Sequence, residues 1–478
     1  MSEENLPKAN NKTLLKNTGI IAIGTISTKM INFLLLPMYT ALISTEDYGT
    51  IDLLSTYATL LMAVASLQIY QAVFRFVAVE REDFNKVKTV LSTLYAITIG
   101  GLVVYSGLCL LIFPLVSMPY KWYLLVQVVA NVYLSMVTNS VRGLGDNASY
   151  AFSNFLSAAI SLVLNVLFLV VFRWPAMTML WAYILGPVVG GTVAFVHKRM
   201  WRFLDPRAVN LQSAKKYLRY ALPLIPNELS WWVVHASDRT IVSAFLGVAA
   251  NGLIAVASKF SSIYSTIFSV FNTAWTEQCV LHFNEEGGRG YLAKTMVTVT
   301  KLFSGLTLLL IAFMPLAFSV LVNRQYAEAY GLVPIYLMAV FFNVLIGLVS
   351  PSYLINNETG KVAKSTAVAA VINIGVDLLL IGSIGVYAAP VSSLCAYLAV
   401  SLWRVWDVQR RYLKIPFPRV FLVRCLAMLF VVCVGYYSRM IPLQIFCALL
   451  AMVYVCLENR AILAKAMEMV QRKLPIRR

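Results

Sequence analysis

Apolar runs of about twenty residues, the length an α-helix needs to cross the hydrocarbon core of a bilayer, recur from near the start of this chain to near its end. The polar gaps between them are short. Such a pattern cannot be covered by water-facing polar surface, so the chain folds in lipid, where helices satisfy their own backbone hydrogen bonds. Composition agrees where it bears on the point. Of 478 residues, 60% are hydrophobic and 13% charged, with a mean hydropathy of +0.75, and no stretch is left over for a soluble domain.

The runs, read against turn signals, predict an all-α polytopic integral membrane protein of about fourteen transmembrane helices. They fall at 14–43, 50–78, 88–113, 119–140, 149–172, 176–197, 217–247, 252–280, 293–322, 331–356, 362–386, 388–409, 417–437 and 441–459. The polar start MSEENLPKANNKTLLKN meets the first span without a small-residue cleavage site, so that span is expected to be retained. Lys and Arg set the orientation. With a cytoplasmic N-terminus, the inner segments hold 28 of them and the outer loops only Lys121, Arg173, Arg324 and Arg439, so both termini are expected in the cytoplasm. The net charge of +18 is then a topology signal, and no nucleic-acid partner is implied. Seven more basic residues, Lys29, Arg75, Arg239, Lys259, Lys301, Arg404 and Arg424, fall inside predicted spans.

The most basic inner loop, His197 to Arg219, separates six spans from the rest. ALISTEDYGTIDLLSTYATL after the first span echoes SAFLGVAANGLIAVASKFSSI after the seventh. The expected organisation is an N-terminal lobe at 1–200, a cytoplasmic linker at 201–216, a C-terminal lobe at 217–412, and two further spans with a basic tail at 413–478. Two six-helix lobes related by an axis along the membrane normal would enclose a central cleft.

A charge at the bilayer centre costs about 2.5–3.5 kcal/mol on insertion scales, so such residues face protein or water. Thr25, Lys29 and Asn32 share one helical stripe, as do Lys259, Ser262, Thr266, Ser269 and Thr273. Each stripe reads as a cavity wall or, in the alternative, as a buried ion pair for Lys29 and helix packing for the hydroxyls. The second span offers Asp52, Ser55, Thr59 and Arg75. Asp52 could instead complement a helix dipole in a first turn, and Arg75 could snorkel. Packing is the expected role of Asn131, Ser135, Thr138 and Arg142 and of Asn154, Ser157, Ser161 and Asn165. Asn373 and Asp377, one turn apart in mid-span, mark a proton or cation site. Lys301, Arg404, Asp407 and Arg424 lie near cytoplasmic ends, where snorkelling is expected. LPLIPNELSWWVVHASDRTIVSAFLG is the most polar span. Asn227, Trp231, His235 and Asp238 form one face, and Glu228, Trp232, His235 and Arg239 the next. Pro223 and Pro226 should kink its start. Asp238 and Arg239 read equally as substrate contacts or as a lock between helices. The seven cysteines and three histidines lack metal-ligand spacing and read as structural.

KNTGIIAIGTISTKMINFLLLPMYTALISTEDYGTIDLLSTY, AVFRF around Arg75 and YALPLIPNELSWWVVHASDRTIVSAFLGVAANGLIAVASKF resemble the Wzx-type oligosaccharide flippases of the multidrug/oligosaccharidyl-lipid/polysaccharide (MOP) exporter superfamily. The resemblance implies a bacterial plasma (inner) membrane protein, not an enzyme, that moves undecaprenyl-diphosphate-linked oligosaccharide to the outer leaflet for O-antigen, capsule or exopolysaccharide. It implies a cleft lined by helices one, two, seven and eight, with Lys29, Asn32, Arg75, Arg239, Lys259, Asp238, Trp231 and His235 as substrate-contact candidates. Asp377, Glu228 and Asp52 are then the candidates for proton or cation coupling, with no cofactor, and other polysaccharide-assembly proteins are candidate partners. Lipid II flippases of this fold are described as arginine-rich in the cavity, whereas lysines stand here at the two deepest positions. The last two helices resemble the lipid-binding pair of those proteins. The alternatives are a multidrug or organic-cation exporter, a lipid II flippase, and a membrane glycosyltransferase, polymerase or ligase. The last class needs an extramembrane catalytic loop, and no outer loop here is long enough.

Overall fold

A computed structural model describes residues 30, 33–116, 119–356, 358–460 and 464, apart from the side chains of Asn227, Trp231, Val234 and His235. All regular structure among the described residues is helical. The α-helices are α1 (Leu36–Leu42), α2 (Thr45–Ala65), α3 (Ile69–Glu80), α4 (Phe84–Ile112), α5 (Lys121–Gly143), α6 (Asn147–Val166), α7 (Met179–His197), α8 (Leu211–Ala221), α9 (Leu224–Leu246), α10 (Val248–His282), α11 (Gly288–Leu321), α12 (Val333–Val349), α13 (Pro351–Ile355), α14 (Thr359–Ile384), α15 (Ala388–Arg411), α16 (Arg419–Ser438) and α17 (Ile441–Glu458). Several begin before the apolar run does, because a polar cap starts them. Ser44, Asp83, Asp146 and Asn210 accept the first free N–H groups of α2, α4, α6 and α8.

Eleven helical stretches among the described residues are long and apolar enough to cross a membrane, and one of them, Thr359–Arg411, holds both α14 and α15. The count departs from about fourteen there, at α9, which is too polar to be among them, and at the first span, most of which lies outside the described residues. The expected second span, 50–78, is broken. Leu67 and Gln68 take left-handed φ values of 50° and 55° between α2 and α3. No proline or glycine marks this break in MAVASLQIYQAV. Its counterpart lies on α4, where a Cβ added at Gly101 would stand 2.7 Å from the Ala65 carbonyl oxygen.

The chain divides into two compact units, one ending at Ala236 and the other beginning at Ser237, so the division falls inside α9. In the first unit α6 and α7 meet through small residues. A Cβ at Gly186 would lie 2.0 Å from Ser161 Oγ, and that hydroxyl donates to the Ala182 carbonyl at 2.9 Å. Asn165 donates to the Tyr39 hydroxyl at 2.8 Å. The serine and asparagine stripe of this span packs helices.

In the second unit α10 buries Phe260, Tyr264, Phe268 and Trp275. Tyr264 donates to the Phe303 carbonyl at 3.0 Å and Trp275 to that of Leu348 at 2.9 Å. The last two helices pack on α11 of the same unit. Here snorkelling is corrected for Lys301, Arg404 and Asp407, while Arg424 stays 65% exposed at its side chain. Lys301 Nζ lies 3.1 Å from Glu458, and Arg424 lies 3.6 Å from the same carboxylate. Arg404 and Asp407 are both 2% exposed. Neighbouring helices supply polar partners that the sequence of one helix alone does not reveal.

Candidate functional site

In the second unit, polar residues of α9, α10, α12, α14 and α15 converge in the interior. Asp238, which is buried, accepts from the Tyr336 hydroxyl at 3.3 Å and lies 3.5 Å from Arg239 Nη1. Arg239 Nη2 donates to Ser258 Oγ at 3.2 Å. Ser237 donates to the Asn373 side-chain oxygen at 3.1 Å. The Asn373 amide donates in turn to Ser392 and Ser393 at 3.1 and 3.4 Å. Asp377 follows one turn later on α14. It is 0% exposed, and neither carboxylate oxygen has a hydrogen-bond partner among the described residues. Asp238 and the Tyr336 hydroxyl lie within electrostatic range of it. A buried carboxylate without donors is costly, and a proton or a small cation relieves that cost. The surrounding carboxylate, hydroxyl and amide oxygens are hard donors suited to such ions. Among the described residues no three His, Cys, Asp or Glu side chains gather as a metal-binding group.

The opposite face of α10 is open. Lys259 is half-buried, while Ser262, Ser269 and Thr273 are exposed. Their hydroxyls turn back onto their own helix: Ser262 to the Lys259 carbonyl at 2.8 Å, Thr266 to Ser262 at 2.8 Å, Ser269 to Thr266 at 2.9 Å and Thr273 to Ser269 at 3.0 Å. They therefore do not join α10 to a neighbour. Among the described residues the Lys259 ammonium has no ion-pair or hydrogen-bond partner. An ammonium with a line of hydroxyls on an open face is a wettable surface able to meet an anion and sugar hydroxyls.

The first unit holds a separate group. Gln71, on α3, donates to Gln68 at 2.7 Å and more weakly to Glu228 of α9 at 3.5 Å, while the amide nitrogen of the fully buried Gln68 has no partner among the described residues. Trp232 donates to the Thr56 carbonyl of α2 at 3.0 Å. Arg75 is exposed and lies over the Tyr220 ring at 4.5 Å. Asp52 is half-buried. Because α2 starts at Thr45, the acids of its first turn are Glu46 and Asp47, and Asp52 lies too far along the helix for a dipole role. Lys29 and Asn32 lie outside the described residues, as do the side chains of Trp231 and His235. The structure thus brings Asp238, Arg239 and Asp377 together in the second unit and Glu228 beside Gln71 in the first, with Lys259 on a different face.

A family model described as polysaccharide biosynthesis protein matches residues 14–276. The chain belongs to this family. The succinoglycan biosynthesis transport protein ExoT of Rhizobium meliloti (strain 1021) is 22% identical over 340 residues, 68% of this chain. The chain spans 65% of the length of that relative. Among solved structures, the lipid II flippase MurJ in an inward closed conformation has a TM-score of 0.71 at 14% identity, covering 94% of this chain and all of that one. An inward-facing multidrug resistance MATE family transporter of the MOP superfamily has a TM-score of 0.62 at 13% identity, covering 81% of this chain and 98% of that one. The fold is the one these two transporters share, as the resemblance implied.

The partners of Asn373, Asp238 and Arg239 that sequence reasoning missed are Ser237, Ser258, Tyr336, Ser392 and Ser393. Serine beside Asn373 at a helix start was a usable signal. Tyr336 carried none, since a tyrosine in an apolar run reads as core.

Proposed function

We propose that this protein translocates undecaprenyl-diphosphate-linked oligosaccharide from the cytoplasmic to the outer leaflet of the bacterial plasma membrane for surface polysaccharide synthesis. The observation that carries the reading is the open face of α10, where Lys259 stands in line with Ser262, Thr266, Ser269 and Thr273. A diphosphate meets the cation, sugars meet the hydroxyls, and the polyprenyl tail stays in lipid. Alternating access exposes the site to each leaflet in turn. The excess of Lys and Arg in the inner segments supports a cytoplasmic position for both termini. Membership of a polysaccharide biosynthesis family and a fold shared with a lipid II flippase support the substrate class. Asp377, buried without hydrogen-bond donors among the described residues and within electrostatic range of Asp238, is the coupling group for a proton or a monovalent cation.

Purified protein in liposomes should move a labelled polyprenyl-diphosphate oligosaccharide between leaflets, and Lys259→Ala should slow that movement with normal insertion. Dye export in place of lipid movement would reassign the protein as a drug exporter. Incorporation of labelled sugar by the protein alone would make it an enzyme. Full export by Lys29→Ala and Lys259→Ala variants would remove the cationic site.

A further inference from the structure

Where α11 begins and α15 ends, the second unit has a concave basic pocket of about 400 Å³, lined by Arg289, Gln409, Arg410, Arg411 and Lys414. It lies apart from the Asp377 cluster and from the Lys259 face. Arg289, Arg410, Arg411 and Lys414 are all exposed. No acid lines the pocket. Buried Asp407 holds Arg411 Nε at 2.8 Å, fixing that guanidinium, whose two outer nitrogens make no hydrogen bond among the described residues. The loop that carries Lys414 is pinned. Leu413 and Ile415 are buried, the Leu413 N–H donates to the Val408 carbonyl at 3.0 Å, and Gln409 donates to the Ile415 carbonyl at 3.4 Å. The fold therefore fixes the Arg411 guanidinium and the backbone that carries Lys414. Asp407 offsets the charge of Arg411, and the other three positive groups around the hollow repel one another, a cost that a bound anion removes.

The path into the pocket indicates what carries the anion. Leu402, Trp406 and Arg410 succeed one another four residues apart on one face of α15. Leu402 is 59% and Trp406 54% exposed, and Arg410 lies 5.5 Å from the Trp406 ring centroid. An open apolar strip that ends in tryptophan and arginine is suited to an acyl chain leading to a headgroup at the membrane surface. A free phosphate needs no such strip.

We propose that Arg289, Arg410, Arg411 and Lys414 form a binding site for the phosphate of an anionic phospholipid. The occupant is a bulk membrane lipid with a phosphodiester headgroup, and the site does not rest on the flippase reading. Full-chain protein, purified and delipidated in detergent, is titrated with phosphatidylglycerol, phosphatidylcholine and inorganic diphosphate, with binding read by native mass spectrometry. Wild type should prefer phosphatidylglycerol over both others. Arg289→Gln/Arg410→Gln/Lys414→Gln should bind it about tenfold more weakly or worse. Lys215→Gln/Lys216→Gln/Arg219→Gln, which removes the same charge from α8, should bind as wild type does. Equal losses in the two triple variants, or none in the first, overturn the site. Diphosphate binding as strong as that of phosphatidylglycerol overturns the lipid assignment. Lys414→Gln alone, on an exposed loop position, provides the same test if the triple variant does not fold, with about a threefold loss expected.

Discussion

Arg404 and Asp377 lie on the packed neighbours α15 and α14, and burial of an ionisable group deep in a membrane protein is costly for both. Their surroundings differ. Arg404 Nε donates to Ser365 at 2.9 Å, Nη1 to Ser350 at 2.9 Å, and Nη2 to Ser365, Thr366 and the Val362 carbonyl at 2.7, 3.1 and 3.1 Å. All three guanidinium nitrogens are engaged by neutral oxygens. Asp377 has none among the described residues. The fold builds a complete cage for one group and leaves the other open, so burial alone does not separate structural from functional charges. Hydrogen-bond satisfaction does. A caged charge holds helices in place, whereas an uncaged one stands ready for something the protein does not supply.

The largest effect on stability is expected at the cage. Arg404→Ala removes the largest of the fully buried side chains and should cost about 3 kcal/mol or more, from the cavity and from oxygens that lose their donor. Thermal unfolding in detergent measures it. Arg404→Met should recover part of the loss, because an apolar side chain of similar reach fills the space without a charge to desolvate. If Arg404→Ala unfolds like wild type, satisfaction does not identify a structural charge.

A partly caged charge should rank next. Glu458 receives Lys301 and Arg424, but Arg424 is 65% exposed at its side chain, so that pair contributes little. Glu458→Gln should cost about 1–2 kcal/mol, chiefly through Lys301. The loss should appear first as proteolysis of the last two helices, and uniform destabilisation of the whole chain would contradict the ranking.

Outside the spans, the same principle can be read by pH. Asp146 caps α6 by accepting from the Ser149 N–H and hydroxyl and pairs with Lys198. Burial pushes its carboxyl upward, but Lys198 and Ser149 outweigh that and hold it at about 2. A lowered acid stabilises the fold above its unfolded value of about 3.9, and the contribution is lost as pH falls through about 2. Asp146→Asn should therefore cost about 1 kcal/mol at neutral pH, after discounting for solvent, and should flatten acid unfolding between those values. An unchanged acid limb would place the cap's contribution outside this carboxylate.

The sequence and the structure part company for the same physical reason. The all-helical membrane-spanning class, the α9 polarity and the Asn373–Asp377 pair are legible because periodicity and hydropathy are properties of one helix. Partners across helices are not. Lys301, Arg424, Arg404 and Asp407 have the sequence surroundings of snorkelling charges, and only packing shows Glu458 or a ring of hydroxyls opposite them. The break at Leu67 and Gln68 has the same origin, since the residue that accommodates it, Gly101, lies on another helix. The α10 stripe was legible as a stripe, but its openness depends on what does not pack there.

The smallest expected effect on stability is at Asp377, and it separates the two regions most sharply. Asp377→Asn removes a carboxylate whose oxygens bond nothing among the described residues and keeps its shape and volume. Unfolding should shift by less than about 1 kcal/mol in either direction, because no hydrogen bond is lost and a neutral amide is cheaper to bury than a charge. Translocation in proteoliposomes should nonetheless fall by about tenfold or more and lose its dependence on an imposed proton or cation gradient. A neutral side chain cannot exchange charge with the two leaflets, whatever the substrate. If Asp377→Asn destabilises the protein as much as Arg404→Ala does, Asp377 belongs with the caged charges. If it folds and transports normally, the open carboxylate is not the coupling group, and Glu228 beside Gln71 in the first unit becomes the residue to replace.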